Sequence, residues 1–193
     1  MSSGANYFKE LYSIFDTRTK FSVVFKDLDS ASYNDPTSYG YCEEPDTLAN
    51  GHVFYDIALN KDLLVKCSKE WVAMTYLHEL IHAYLGTQNY DFTTNIQHQT
   101  MALNYLTKMA TTISQLFPNL SLQNAYCMAF YTLSLAEKKP LDAPVVMSLM
   151  TLWKQKIQNL YPVLAPLTIR DISNIGEQYT EKGNSGTKMI NCQ

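Results

Sequence analysis

The pentapeptide His78-Glu79-Leu80-Ile81-His82 brings two imidazoles and a carboxylate together in the order H-E-x-x-H. Side chains four apart share one face of a helix, so a helical segment here lets both imidazoles reach one divalent cation at about 2.0–2.1 Å each. Glu79 then stands beside the cation, where its carboxylate can take a proton from water. Two of the chain's four histidines fall within these five residues. A chain of this composition is expected to produce such a match by accident only about 0.003 times. The competing reading is a pair of core histidines beside an ion-paired Glu. It lacks a cation, because no Lys or Arg lies within a helical turn of Glu79, and an unpaired buried carboxylate is costly. The chemistry implied is hydrolysis by metal-activated water.

An open catalytic site needs a third protein ligand. No Glu occurs between Glu79 and Glu137, which weakens a downstream Glu in that role. Position 85 is Leu and position 88 is Gln, so H-E-x-x-H-x-x-G-x-x-H is excluded. Two candidates stay open. His98 lies sixteen residues after His82, near the start of a predicted helix that could return across the first. Asp91 follows Gly86-Thr87 at a spacing that fits no known pattern well.

The elements that must hold these residues are legible in part. Tyr7, Phe8, Leu11, Tyr12 and Phe15 recur at helical spacing and predict a short N-terminal helix. Phe21–Phe25 reads as a strand. Residues 27–51 are polar and turn-rich, and predict a long surface loop carrying at most a short strand. His52–Leu59 alternates, with Val53, Tyr55, Ile57 and Leu59 predicted to share one buried face. Ser68 is a good N-cap and Glu70 suits the positive end of a helix over about Lys69–Leu85, with Gly86 as its stop. Thr93-Thr94-Asn95 opens a helix predicted to run to Leu116, before Pro118. Ser121 opens another to about Lys138, and two more are expected around Ala143–Leu160 and Thr168–Tyr179. Strands come early and helices follow, which predicts an α+β, helix-dominated domain over residues 1–193. Its parts are the N-terminal helix, strands and loop (1–67), the site helix and third-ligand helix (68–116), a helical half (117–180) and a tail (181–193).

Composition closes off other classes. At 193 residues the chain is long enough to bury a core without cross-links. Its 46% hydrophobic and 17% charged content excludes intrinsic disorder. A net charge of −3 gives no overall footprint for nucleic acid or anionic membrane. The uncharged stretch from Met109 to Ala136 is broken by Pro118-Asn119 and diluted by Gln and Ser, so no membrane span is expected. Cys42, Cys67, Cys127 and Cys192 form no C-x-x-C pair and are expected to be reduced thiols. The first six residues lack the features of a signal peptide. The default compartment is cytoplasmic, unless the chain is cut from a longer secreted protein.

The octapeptide His78-Glu79-Leu80-Ile81-His82-Ala83-Tyr84-Leu85 resembles the active-site helix of SprT-like zinc metalloproteases. Gln97-His98-Gln99-Thr100-Met101-Ala102 is similar to a stretch in their small bacterial forms. The resemblance covers about residues 50–105 and implies a zincin-like core. It implies Zn2+ as cofactor, His78, His82 and His98 as ligands, and Glu79 as general base. Gln99 stands where that family usually has Gly. Neither a zinc ribbon nor a basic tract is present, so DNA binding is not part of the expectation.

The function expected is therefore a zinc-dependent endopeptidase acting on a peptide or protein substrate. Tyr105, seven residues after His98 and on the same helix face, is the expected oxyanion donor, although Met101, Tyr105 and Met109 also make an ordinary core stripe. Tyr55 and His52 are the residues that could border a groove for an extended peptide. The alternatives are a toxin-like or binding module on the same fold, and a structural metal site closed by a fourth protein ligand.

Overall fold

The computed structural model describes residues 3–15, 20–32, 37–89, 96–136 and 167–180, with isolated positions 148, 151, 183 and 186. Asp91, Thr93–Asn95, Cys192, the helix expected over 143–160 apart from its helical positions 148 and 151, and most of the tail lie outside the described residues.

The protein is mixed α+β and helix-rich, with a small four-stranded sheet. In chain order the elements are α1 (Ser3–Ile14), β1 (Phe21–Leu28), a 3-10 turn (Ser30–Ser32), β2 (Gly40–Cys42), β3 (Asp46–Thr47) and β4 (Val53–Asn60). They continue with α2 (Lys61–Leu64), α3 (Lys69–Thr87), α4 (Ile96–Asn104), α5 (Leu106–Leu116), α6 (Leu122–Ala136) and α7 (Ile169–Tyr179). The loop expected over 27–51 thus carries two short strands and the 3-10 turn.

β4 is the centre of the sheet. It runs parallel to β1 on one side, with Phe21 opposite Val53 and Leu28 opposite Asn60. On its other side it pairs antiparallel with β2 and β3 in turn. Its burial corrects the expected alternation, since every residue from Tyr55 to Asn60 is buried. The polar members of this run are satisfied. Asp56 pairs with the ammonium of Lys26 on β1. Asn60 accepts from Ser30 Oγ at 3.0 Å and Leu63 N at 3.3 Å, and donates to Ser38 O at 3.0 Å. Partnering of this kind lets polar residues lie inside at little cost.

α3 is the buried axis of the molecule. It packs against β2 and β4 on one side and against α1, α4, α5 and α6 around the rest, which is why apolar residues appear all round it rather than along one stripe. Ser68 caps its N-terminus by accepting from Trp71 N at 3.1 Å. Trp71 is fully buried and packs edge-on to Tyr39, with ring centroids 5.4 Å apart. Gly86 does not stop the helix. The chain continues to Thr87 and turns out at Asn89, whose φ of 63° is the left-handed conformation that Asn tolerates.

The helix expected to run to Leu116 is two helices. The backbone leaves helical geometry at Tyr105, at φ −120° and ψ −16°, although Tyr105 N still donates to Met101 O and Met109 N to Tyr105 O, both at 2.8 Å. Ser121 caps α6 through Asn124 N at 3.1 Å. Thr168 and Asp171 form a reciprocal capping box on α7. Among the described residues, Cys42, Cys67 and Cys127 are free thiols, and no helix is long and apolar enough to cross a membrane.

Candidate metal centre

α3 presents His78 and His82 one turn apart, and α4 brings His98 against them from the neighbouring helix. His82 Nε2 lies 3.0 Å from His78 Nε2 and 3.1 Å from His98 Nε2. One ligand atom from each of the three histidines falls within 4.8 Å of the others. Bonds of about 2.0–2.1 Å to a tetrahedral cation would set such nitrogens about 3.3–3.4 Å apart. The observed contacts are close to that edge length.

The outer nitrogens decide which ring atoms carry protons. His82 Nδ1 lies 2.5 Å from Gln97 Oε1, which can only accept, so Nδ1 holds the proton. His78 Nδ1 lies 3.2 Å from Thr132 Oγ1. That hydroxyl spends its own proton on Ala129 O at 2.8 Å, so it accepts from His78. In the neutral imidazoles both facing Nε2 atoms therefore carry lone pairs, with no proton to share across 3.0 Å. Two such lone pairs repel unless a cation lies between them. The donor set thus fits a metal ion, and the three histidines could hold one.

Electrostatics keep the His78 and His82 rings neutral. Burial drives His78 well below the usual imidazole range, and the neighbouring His82 and His98 add to it. Burial takes His82 down to about 3, with His98 adding to the drop and Gln97 opposing it. Neutral imidazole is the form that binds a metal.

Glu79 is buried one residue from His78. Burial raises its carboxyl to about 8, against the pull of a hydrogen bond that it accepts from the backbone N–H of Cys42. A divalent cation nearby would act in the opposite sense and favour the carboxylate. Cys42 sits on β2, its thiol held protonated by burial first and by Glu79 next.

The other residues singled out in the sequence are placed elsewhere. Tyr105 packs edge-on to Tyr84, with centroids 5.9 Å apart, and under the ammonium of Lys108. It lines a cavity of about 130 Å³ with Tyr7, Leu11 and Tyr84. Tyr84 is two residues, more than half a helical turn, around α3 from His82. These contacts with Tyr84 and Lys108 are what the structure gives for Tyr105, and they neither supply nor exclude the oxyanion role. Tyr55 is a core residue set edge-on to Phe15. His52 contacts Ser22 Oγ at 2.9 Å at the start of β4.

Gln97 and Thr132 carry the tautomer argument, yet no role for them was drawn from the sequence. Gln97 had a signal, being a polar residue next to a ligand on the first turn of its helix. Thr132, 54 residues from His78, had none.

The chain matches no protein-family model, no curated protein and no solved structure.

Proposed function

We propose that the protein is a zinc-dependent metallopeptidase of zincin-like architecture, with His78, His82 and His98 as ligands and Glu79 as general base. The observation that carries the reading is the approach of the Nε2 atoms of His78 and His82 to 3.0 Å, with Thr132 and Gln97 behind their Nδ1 atoms. Three neutral nitrogen donors suit zinc. The H-E-x-x-H order supports peptide hydrolysis over a purely structural role, because it adds a carboxylate that the ligand set does not need. Zinc, when bound, supplies a Lewis acid that acidifies water and polarises a carbonyl.

The protein's own groups do the rest. Glu79 takes the proton of the attacking water and returns it to the leaving amine nitrogen. Burial around Glu79 excludes bulk water and strengthens each charge interaction during transfer. Gln97 and Thr132 hold the imidazoles in the tautomer that points Nε2 inward.

The test compares metal content with hydrolysis of an unstructured protein substrate. Glu79→Gln is expected to keep zinc and lose at least 100-fold in kcat, whereas His78→Ala is expected to lose the metal. Hydrolysis by Glu79→Gln at the wild-type rate would overturn the reading.

A further inference from the structure

β2 lies over Glu79 in a register that leaves part of its backbone unused by the sheet. Tyr39 O accepts from Asn60 N and Glu43 N donates to Asp56 O, both at 2.9 Å. Residues 39, 41 and 43 therefore face β4, and the N–H and C=O groups of Gly40 and Cys42 point to the open edge. Ser38 Oγ takes the Gly40 carbonyl at 2.8 Å. The Cys42 N–H goes to the Glu79 carboxylate.

Gly40 is what permits this approach. A Cβ there would meet Ala58 O and Leu59 Cδ2 at 3.2 Å and Glu79 Cγ at 3.3 Å. Two of these contacts lie inside the sheet and the third is the stem of the carboxylate itself. A side chain at position 40 would thus push Glu79 and β2 apart.

We propose that β2 is a positioning strand for the general base, with Gly40 providing the close approach and the Cys42 N–H fixing the Glu79 carboxylate beside the metal centre. The inference rests on reading Glu79 as that base. A carboxylate on a two-bond stem has rotamers to choose from, and only some face the ligands. A single fixed N–H selects among them without adding a charge. Misplacement of a catalytic group by about 1 Å is enough to cost on the order of 100-fold in rate.

Position 42 allows a clean deletion. Proline there replaces the N–H aimed at Glu79 by a ring methylene and leaves the ladder intact, because that N–H is not part of it, and proline is tolerated at edge positions of this kind. Tyr41 is already extended, as a residue before proline must be. Cys42→Ala keeps the N–H and serves as the conservative variant.

With zinc-loaded protein, kcat for Cys42→Pro is expected to fall about 10–100-fold below that of Cys42→Ala, with KM and zinc content within about twofold. Amide hydrogen exchange supplies a readout independent of hydrolysis. The Cys42 amide is expected to be protected in the wild type and to exchange at least tenfold faster in Glu79→Ala. Equal kcat for the two Cys42 variants, or an unprotected Cys42 amide in the wild type, would overturn the proposal. Wild-type protein that holds zinc and protects the Cys42 amide but hydrolyses nothing would instead overturn the peptidase reading.

Discussion

Gln97 Oε1 stands 2.5 Å from His82 Nδ1, so the residue before one candidate ligand sets the proton position of another. α4 therefore delivers two groups to the site from consecutive positions. His98 faces the metal centre, and Gln97 reaches behind His82. Partners of this kind typically change metal affinity by about 10–100-fold when removed.

Gln97→Ala is accordingly expected to weaken zinc binding by about 10–100-fold while leaving the fold intact. Gln97→Glu keeps an acceptor at the same place and is expected to recover most of the loss. Competition against a calibrated chelator checks both. Wild-type affinity in Gln97→Ala would show that the contact does not govern the His82 ring.

Thr132 plays the matching part for His78 from the middle of α6. Thr132→Val keeps the shape and removes the acceptor, leaving a buried N–H on His78 without a partner. A loss of about 1–3 kcal/mol in stability is expected, together with weaker zinc binding. Thr132→Ser should restore both. Chemical denaturation of metal-free protein and zinc competition read the two effects separately.

Residues that carry their own local signal were legible before the fold was known. The H-E-x-x-H order and the Ser68 cap together placed the site helix. It ends two residues later than expected, at Thr87, because Asn89 rather than Gly86 takes the left-handed turn. The interruption at Tyr105 was not legible, because nothing in the intervening residues announces it. The two-sided burial of β4 was hidden by Asp56 and Asn60, polar residues whose partners, Lys26, Ser30 and Ser38, come from other segments. Thr132 illustrates the general limit: a contact spanning 54 residues leaves no trace in spacing.

Metal-free protein should show a stability optimum set by opposing titrations. His82, at about 3 in the folded state against the usual 6.5, binds protons more readily when unfolded. Its contribution is complete above pH 6.5 and is lost as pH falls toward 3. Glu79, at about 8 against the usual 4.5, binds its proton more readily when folded. Its contribution is complete below pH 4.5 and is lost as pH rises through 8. His78, driven well below the usual imidazole range by burial, adds a second acid arm of the same sign as His82, so unfolding of chelator-treated protein is expected to become easier on both sides of about pH 6.5. Zinc should flatten the alkaline arm, because the cation favours the Glu79 carboxylate. An alkaline arm of the same slope in Glu79→Gln would contradict this assignment.

The most direct test of the central claim is X-ray absorption at the zinc edge on stoichiometrically loaded wild-type protein. Three imidazole nitrogens at about 2.0–2.1 Å are predicted, with one further light atom supplied by solvent. His98→Ala should reduce the imidazole count to two. Failure to retain zinc, or a wild-type spectrum with fewer than three imidazoles, would contradict the account.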